Sequence, residues 1–130
     1  MDVIKNESRF YGVGADIVSV HRFEGWIDEE SFLNKIFTER EIDYCKSKVR
    51  PCESFAGIFA GKEAIIKALN RFHNGLKLTD IEIVHDAERR PKVNILDDIF
   101  DIDVSLSHDR DYALAFAIAQ QKLEKGGGCD

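Results

Sequence analysis

Cys52-Glu53-Ser54-Phe55-Ala56-Gly57-Ile58-Phe59-Ala60-Gly61-Lys62-Glu63-Ala64-Ile65-Ile66-Lys67-Ala68-Leu69-Asn70 places Phe55, Ile58, Phe59, Ile65, Ile66 and Leu69 at separations of three and four, which predicts a long amphipathic helix over 52–70. Pro51 just before it suits a helical first turn, where its missing N–H costs nothing. Upstream, Thr38 stands three residues before Glu41 as a capping box, and Ile42 and Cys45 follow at helical spacing, so a short helix is expected over 39–48. Residues 11–18 alternate instead, with Tyr11, Val13, Ala15 and Ile17 on one face and Gly12, Gly14, Asp16 and Val18 on the other, as in a strand. Downstream of the Asn74-Gly75 turn the period is also two. Ile81, Ile83 and Val84 form one short strand, and Val93 and Ile95 form its hairpin partner across Arg89-Arg90-Pro91. Strands over 102–107 and 112–119 follow, joined by the polar turn His108-Asp109-Arg110-Asp111. The last strand carries Ala113, Ala115, Ala117 and Ala119 on one face, which admits a closely packed neighbour; the long helix, with Gly57, Ala60, Gly61 and Ala64, is the natural one, and another subunit the alternative. This order predicts an α+β fold: a mainly antiparallel sheet packed on one long helix, plus short helices.

With 130 residues, 44% hydrophobic and 32% charged, the chain is expected to form one soluble domain over residues 1–121 followed by a flexible glycine-rich tail over 122–130. No apolar run approaches the roughly 20 residues of a membrane-spanning helix, and the first residues lack the apolar stretch of a secretion signal, so a cytoplasmic protein without a membrane partner is expected. Cys45, Cys52 and Cys129 are an odd number without metal-ligand spacing, which points to reduced thiols. A net charge of −6 argues against nucleic acid as a partner, since backbone binding rests on clustered Lys and Arg. An anionic ligand would need a local basic site. The segment with Lys35, Arg40, Lys46, Lys48 and Arg50 is one candidate, although its interspersed acids also describe a solvated helix, and Arg89-Arg90-Pro91-Lys92 is the other.

Three constellations could carry chemistry: Asp16 behind a glycine pair, Lys62-Glu63 with Lys67 inside the long helix, and Ser105-Leu106-Ser107-His108 closing a strand. Each has an ordinary alternative. Asp16 could be a turn acceptor, Glu63 and Lys67 stand at the spacing of a surface salt bridge, and His108 could be a hydrogen-bonded turn residue. Taken jointly they supply two carboxylates for a hard cation, a lysine for phosphate charge and a donor-rich turn. Composition and spacing leave kinase-like, nuclease-like and transferase chemistry open.

Gly12-Val13-Gly14-Ala15-Asp16-Ile17-Val18 with Arg22-Phe23-Glu24 resembles the opening motif of holo-acyl-carrier-protein synthases, in the 4′-phosphopantetheinyl transferase superfamily. Phe59-Ala60-Gly61-Lys62-Glu63-Ala64-Ile65-Ile66-Lys67-Ala68 resembles the family's helix signature, and Asp80-Ile81-Glu82-Ile83, a proline turn and Ser105 through Ala113 resemble its last third. The resemblance implies the 4′-phosphopantetheinyl transferase fold and transfer of phosphopantetheine from coenzyme A to a serine of an apo acyl carrier protein or related carrier domain, as in fatty acid biosynthesis and lipid metabolism. By the same resemblance Asp16 and Glu63 hold Mg2+; Glu63, Lys67 and Asp16 are catalytic; Lys62, Lys67, His108, Ser107 and Pro91 bind coenzyme A; and Arg22 contacts the carrier. It further implies a homotrimer with active sites between subunits, the glycine-aspartate strand of one facing the long helix of its neighbour. Several positions depart from the pattern, among them Asp28, Glu29 and Glu30, which lie where the family has basic residues toward the carrier. Ile58 stands where the family has an arginine for the 3′-phosphate, leaving Arg50 or Arg89 as its replacement, Asn70 stands for a glycine, and Arg89 stands for the turn glycine. The alternative is a non-catalytic relative that binds coenzyme A or a carrier protein.

Overall fold

The computed structural model describes residues 10–95 and 99–122. Strand β1 (Tyr11–Ser19) leads through a 3-10 turn (Val20–Phe23) to helices α1 (Glu30–Ile36), α2 (Glu39–Lys46) and α3 (Pro51–Leu69). A second 3-10 turn (Leu78–Asp80) then opens β2 (Ile81–His85), followed by β3 (Pro91–Ile95), β4 (Phe100–His108) and β5 (Tyr112–Gln121). The α+β class expected from the sequence is the one observed. Two sheets replace the one expected: an antiparallel three-stranded sheet in the order β1-β5-β4, and a separate β2-β3 hairpin. Helix α1 has no counterpart in the sequence reading; its seven residues span only two turns, too few for a period to show, and no side chain caps it. The residues 123–130 of the expected tail, with Cys129, lie outside the described residues. Lys122, where that tail was expected to start, is still held by its amide to the Ile99 carbonyl at 2.7 Å.

Helix α3 forms where the spacing predicts and begins at Pro51, its proline in the first turn. It is apolar around most of its circumference and lies across the inner face of the three-stranded sheet. The alanine face of β5 is wholly buried there. A Cβ added at Gly12 or Gly14 would overlap the carbonyl oxygens of Ala68 and Ala64, so only glycine lets β1 lie directly on the helix backbone. Gly14→Ala is therefore expected to destabilise the protein by at least about 1–3 kcal/mol, read from urea unfolding. A wild-type midpoint would show that strand and helix can separate without cost.

At the N-terminal end of α3 an aromatic cluster joins the 3-10 turn and the end of α1 to α3. Phe23 meets Trp26 edge-on at 5.2 Å and stacks with Phe55 at 6.3 Å, and Phe37 meets Phe55 at 5.0 Å. The capping box at α2 is formed in both directions, with the Glu41 amide donating to Thr38 and the Thr38 amide donating to Glu41 Oε1. Glu41 is buried and also accepts from the ammonium of Lys62 and from the Ile83 amide, joining α2, α3 and β2. Burial pushes the Glu41 carboxyl up and the Lys62 ammonium down, so desolvation opposes the pair even though each partner favours the other's charge.

The outer face of the three-stranded sheet is unusual. Val13, Ile17, Leu114 and Phe116 are between 49% and 63% exposed, and the register places Ile17 opposite Leu114 and Val13 opposite Ile118. Apolar alternation in β1 and β5 thus points outward, while glycines and alanines point in, because the helix backbone occupies the space large side chains would need.

Candidate active site

Asp16 is on β1 just where that strand leaves the close glycine contact, and Glu63 and Lys67 are one turn apart on α3. All three belong to one chain. The Lys67 ammonium donates to the Ala15 carbonyl at 2.9 Å and to Asp16 Oδ1 at 3.3 Å, so it pairs with Asp16 rather than with Glu63 one turn away. The Glu63 carboxyl is pushed up, first by burial and then by the like charge of Asp16, with Lys67 and Arg22 acting in the opposite sense. Two carboxylates that feel each other's charge fit a divalent cation, whose remaining ligands would come from water and phosphate oxygens. No group of three or more His, Cys, Asp or Glu side chains gathers at a common point among the described residues.

The cleft beside Asp16 and Lys67 has a volume of about 210 Å³ and is bordered by Ile17 and Leu114 of the outer sheet face. Arg22 projects from the 3-10 turn with its guanidinium 5.3 Å from the Trp26 ring centre and 5.7 Å from that of Phe59. These aromatic faces hold its flat cation while leaving it exposed for an acidic partner.

A second cavity, about 180 Å³, lies at the other edge of the sheet between the start of α3, the β2-β3 hairpin and the end of β4. His108 and Pro91 line it, as do Ile58, Tyr44, His85 and Arg89. His108 Nδ1 is 3.0 Å from Glu53 Oε1. Tyr44 and His85 stack at 4.4 Å with their planes 7° apart. Burial holds the His85 imidazole below its ordinary pKa, and its Nδ1 has no partner in the folded chain.

Two expected site residues, Lys62 and Ser107, stand elsewhere than expected. Lys62 is fully buried on Glu41 and cannot reach a phosphate, because its helix face turns into the core rather than toward Asp16. The glycine-aspartate strand lies on the long helix of its own chain, because the missing Cβ atoms at Gly12 and Gly14 admit the helix. Ser107 does not line the cavity that takes His108; strand alternation puts it beside Leu114 on the outer face. Sequence reasoning missed Tyr44 and His85, which stand on separate elements and have no local signal.

The pattern of the 4′-phosphopantetheinyl transferase superfamily matches residues 12–117. The chain belongs to that superfamily. It is 39% identical over 117 residues to the holo-[acyl-carrier-protein] synthase of Fusobacterium nucleatum, covering 82% of this chain and 96% of the relative. Against the Thermodesulfovibrio yellowstonii synthase it is 43% identical over 109 residues, covering 82% and 96%. A crystal structure of the Bacillus anthracis holo-(acyl-carrier-protein) synthase in complex with CoA (3′,5′-ADP) superposes with a TM-score of 0.77 at 29% identity, covering 88% of this transferase-family chain and all 100% of the other. The Helicobacter pylori synthase in complex with coenzyme A gives 0.70 at 32% identity, over 81% and 96%.

Proposed function

We propose that this chain is a holo-acyl-carrier-protein synthase that transfers 4′-phosphopantetheine from coenzyme A to a serine of an apo carrier protein. The observation that carries the reading is the Asp16, Glu63 and Lys67 cluster on the β1-α3 contact, in a chain about 40% identical to synthases over most of its length. Asp16 and Glu63 would hold Mg2+, which when bound polarises the phosphoryl group and offsets charge on the leaving oxygens. Lys67 neutralises phosphate. The serine oxygen forms a bond to the β-phosphorus as the bond to 3′,5′-ADP breaks, and the serine proton passes to Glu63, directly or through a water. Arg22 is the contact for the acidic carrier. Fatty acid biosynthesis, and more broadly lipid metabolism, in the cytoplasm, is the setting this activity suits. No helix among the described residues is long and apolar enough to cross a membrane.

The placement of the two half-sites supports an assembly. The carboxylates sit at the β1 edge and the His108 cavity at the β4 edge, with β5 between, so roughly 10 Å of sheet and the body of α3 separate them. A coenzyme A molecule can engage both kinds of site most directly where the β1 edge of one copy meets the β4 edge of another. The exposed apolar face of β1 and β5 is a surface a second copy can cover, and a homotrimer with shared sites uses both features. Phe116→Asp, which puts a charge in the middle of that face, is expected to give monomers by analytical ultracentrifugation and to lose most transfer activity. A monomeric wild type would overturn the assembly.

Mass spectrometry of an apo carrier protein incubated with the protein, coenzyme A and magnesium, with and without chelator, tests the reaction. A metal-dependent gain of one phosphopantetheine is expected. Binding of coenzyme A without any gain on several carriers would identify a non-catalytic relative instead.

A further inference from the structure

Both ring nitrogens of His21 are committed, and they tie the 3-10 turn that carries Arg22 to a distant part of the chain. Val20 and Phe23 of that turn are buried, which fixes its inner side, while His21 and Arg22 face solvent. His21 Nδ1 lies 2.8 Å from Glu24 Oε2, and Nε2 lies 3.0 Å from Asp111 Oδ1 in the turn between β4 and β5. Beside this contact the Val20 amide donates to the Asp111 carbonyl at 2.9 Å. Asp111 is itself held in place, because Asp109 Oδ1 accepts from the Asp111 and Tyr112 amides at 2.8 Å each. His21 and Asp111 are 90 positions apart in the chain, yet one ring joins their turns.

A neutral imidazole has one N–H and donates to only one of these carboxylates, leaving a lone pair facing the other. The imidazolium donates to both. The geometry thus fits the protonated ring, and the hydrogen bonds to Asp111 and then Glu24, followed by the charge of Glu24, hold the His21 pKa above its ordinary value. The surrounding groups supply no competing partner. Arg110, next to Asp111, and Arg50, at the start of α3 across a cleft of about 430 Å³, are cations, and Arg50 is drawn to Glu53 at 3.4 Å, which also lies 3.0 Å from His108. The Cys52 thiol in the same wall is pushed up by burial and then by Glu24 and Asp28, so it adds no charge to the cleft.

Arg22 is the next residue along the turn. No carboxylate lies within ion-pair distance of it among the described residues, and its charge offsets part of the push that burial and Asp16 give the Glu63 carboxyl. It is an uncommitted cation beside the site. When His21 is charged it partly offsets Glu24 and Asp111; when the ring is neutral, both carboxylates stand as uncompensated negative charge near Arg22, in a chain already at −6. An acidic partner is then repelled more strongly and meets a turn held by one ring bond fewer.

We infer that His21 is a positioning residue: as an imidazolium between Glu24 and Asp111 it clamps the Arg22 turn to the β4-β5 turn and offsets their charge, so that docking of an acidic carrier weakens as pH rises. This rests on the carrier reading above, in which Arg22 is the contact. The sign follows from the raised folded-state value: the clamp is complete at low pH and is lost as pH rises through that value.

Steady-state transfer to an apo acyl carrier protein at saturating coenzyme A and magnesium, from about pH 5.5 to about pH 8.5, compares wild type with His21→Gln and His21→Lys. The wild-type KM for the carrier is expected to rise on the order of 3-fold across that range. His21→Gln is expected to show the high-pH KM throughout and His21→Lys, which keeps a cation there, the low-pH KM throughout, both with the kcat of wild type at each pH. Hydrogen exchange at the Val20 amide reads the clamp without any carrier: its protection factor is expected to be lower in His21→Gln than in wild type at the acid end and to converge at the alkaline end. A carrier KM in His21→Gln equal to that of wild type at every pH, or a His21→Lys profile that rises as wild type does, overturns the role of His21 in docking. Val20 protection indifferent to the glutamine substitution overturns the clamp. A wild type that modifies no carrier while Val20 protection still follows His21 overturns the carrier reading, and the docking role with it, but leaves the clamp standing.

Discussion

Glu63→Gln is expected to fold as wild type does and to lose on the order of 10²–10⁴-fold in kcat/KM for carrier modification. Glutamine keeps the volume and the neutral hydrogen-bonding oxygen but cannot carry the negative charge a divalent ion needs or accept the serine proton. Glu63 is half-buried and its carboxyl is already disfavoured as an anion by burial and by Asp16, so removing its charge relieves repulsion rather than breaking a structural pair. Lys67 remains held by Asp16 and by the Ala15 carbonyl, so its placement does not depend on Glu63. Thermal stability should therefore hold or rise while activity falls, a combination that a merely structural Glu63 would not give. Transfer at the wild-type rate would remove Glu63 from the site. A matched loss of stability and activity would make it a structural residue.

The parts of this molecule legible in the sequence are those written in one continuous stretch. The α3 period, the Thr38-Glu41 capping box and the alternation of β1 and β5 are local patterns, and each forms where it is expected. What local pattern leaves open is which face turns inward. An alternating strand normally hides its large residues, yet β1 hides Gly12 and Gly14 and shows Val13 and Ile17, because contact with the α3 backbone sets the choice. The same reason decides Lys62. Its neighbours in sequence, Glu63 and Lys67, reach the site, but 100° of helix per residue carries Lys62 into the core, where Glu41 answers its charge. Glu41 itself looked complete as a capping residue; its second role appears only when α3 and β2 arrive. The Tyr44-His85 wall is of the same kind, a contact across 41 positions of chain with no trace in either segment alone.

Glu41→Ala should be among the most destabilising single changes in this chain, at about 3–5 kcal/mol, a large share of the roughly 5–15 kcal/mol that holds a typical domain. The carboxylate accepts from the Lys62 ammonium, from the Thr38 amide at 2.9 Å and from the Ile83 amide at 2.7 Å, at a point where 1% of Glu41 and none of Lys62 meets solvent. Alanine leaves a buried ammonium without its counter-charge and two amides without their acceptor. Lys62→Met should cost less, since the carboxyl keeps both amides and burial already pushes it toward the neutral form. In urea unfolding the Glu41→Ala/Lys62→Met double variant should be more stable than Glu41→Ala alone, because the orphaned charge is gone. The pH dependence separates charge from simple loss of packing. Burial holds the Lys62 pKa below its ordinary lysine value in the folded state, and removing Glu41 takes away the largest influence that raises it. Unfolded Glu41→Ala then binds more protons than folded, so its stability rises with pH toward the ordinary lysine range and falls as pH drops. That slope should be absent from the double variant. A Glu41→Ala protein that loses under about 1 kcal/mol and shows the same pH dependence as the double variant would mean that the pair is solvated and that α2, α3 and β2 are joined by packing alone.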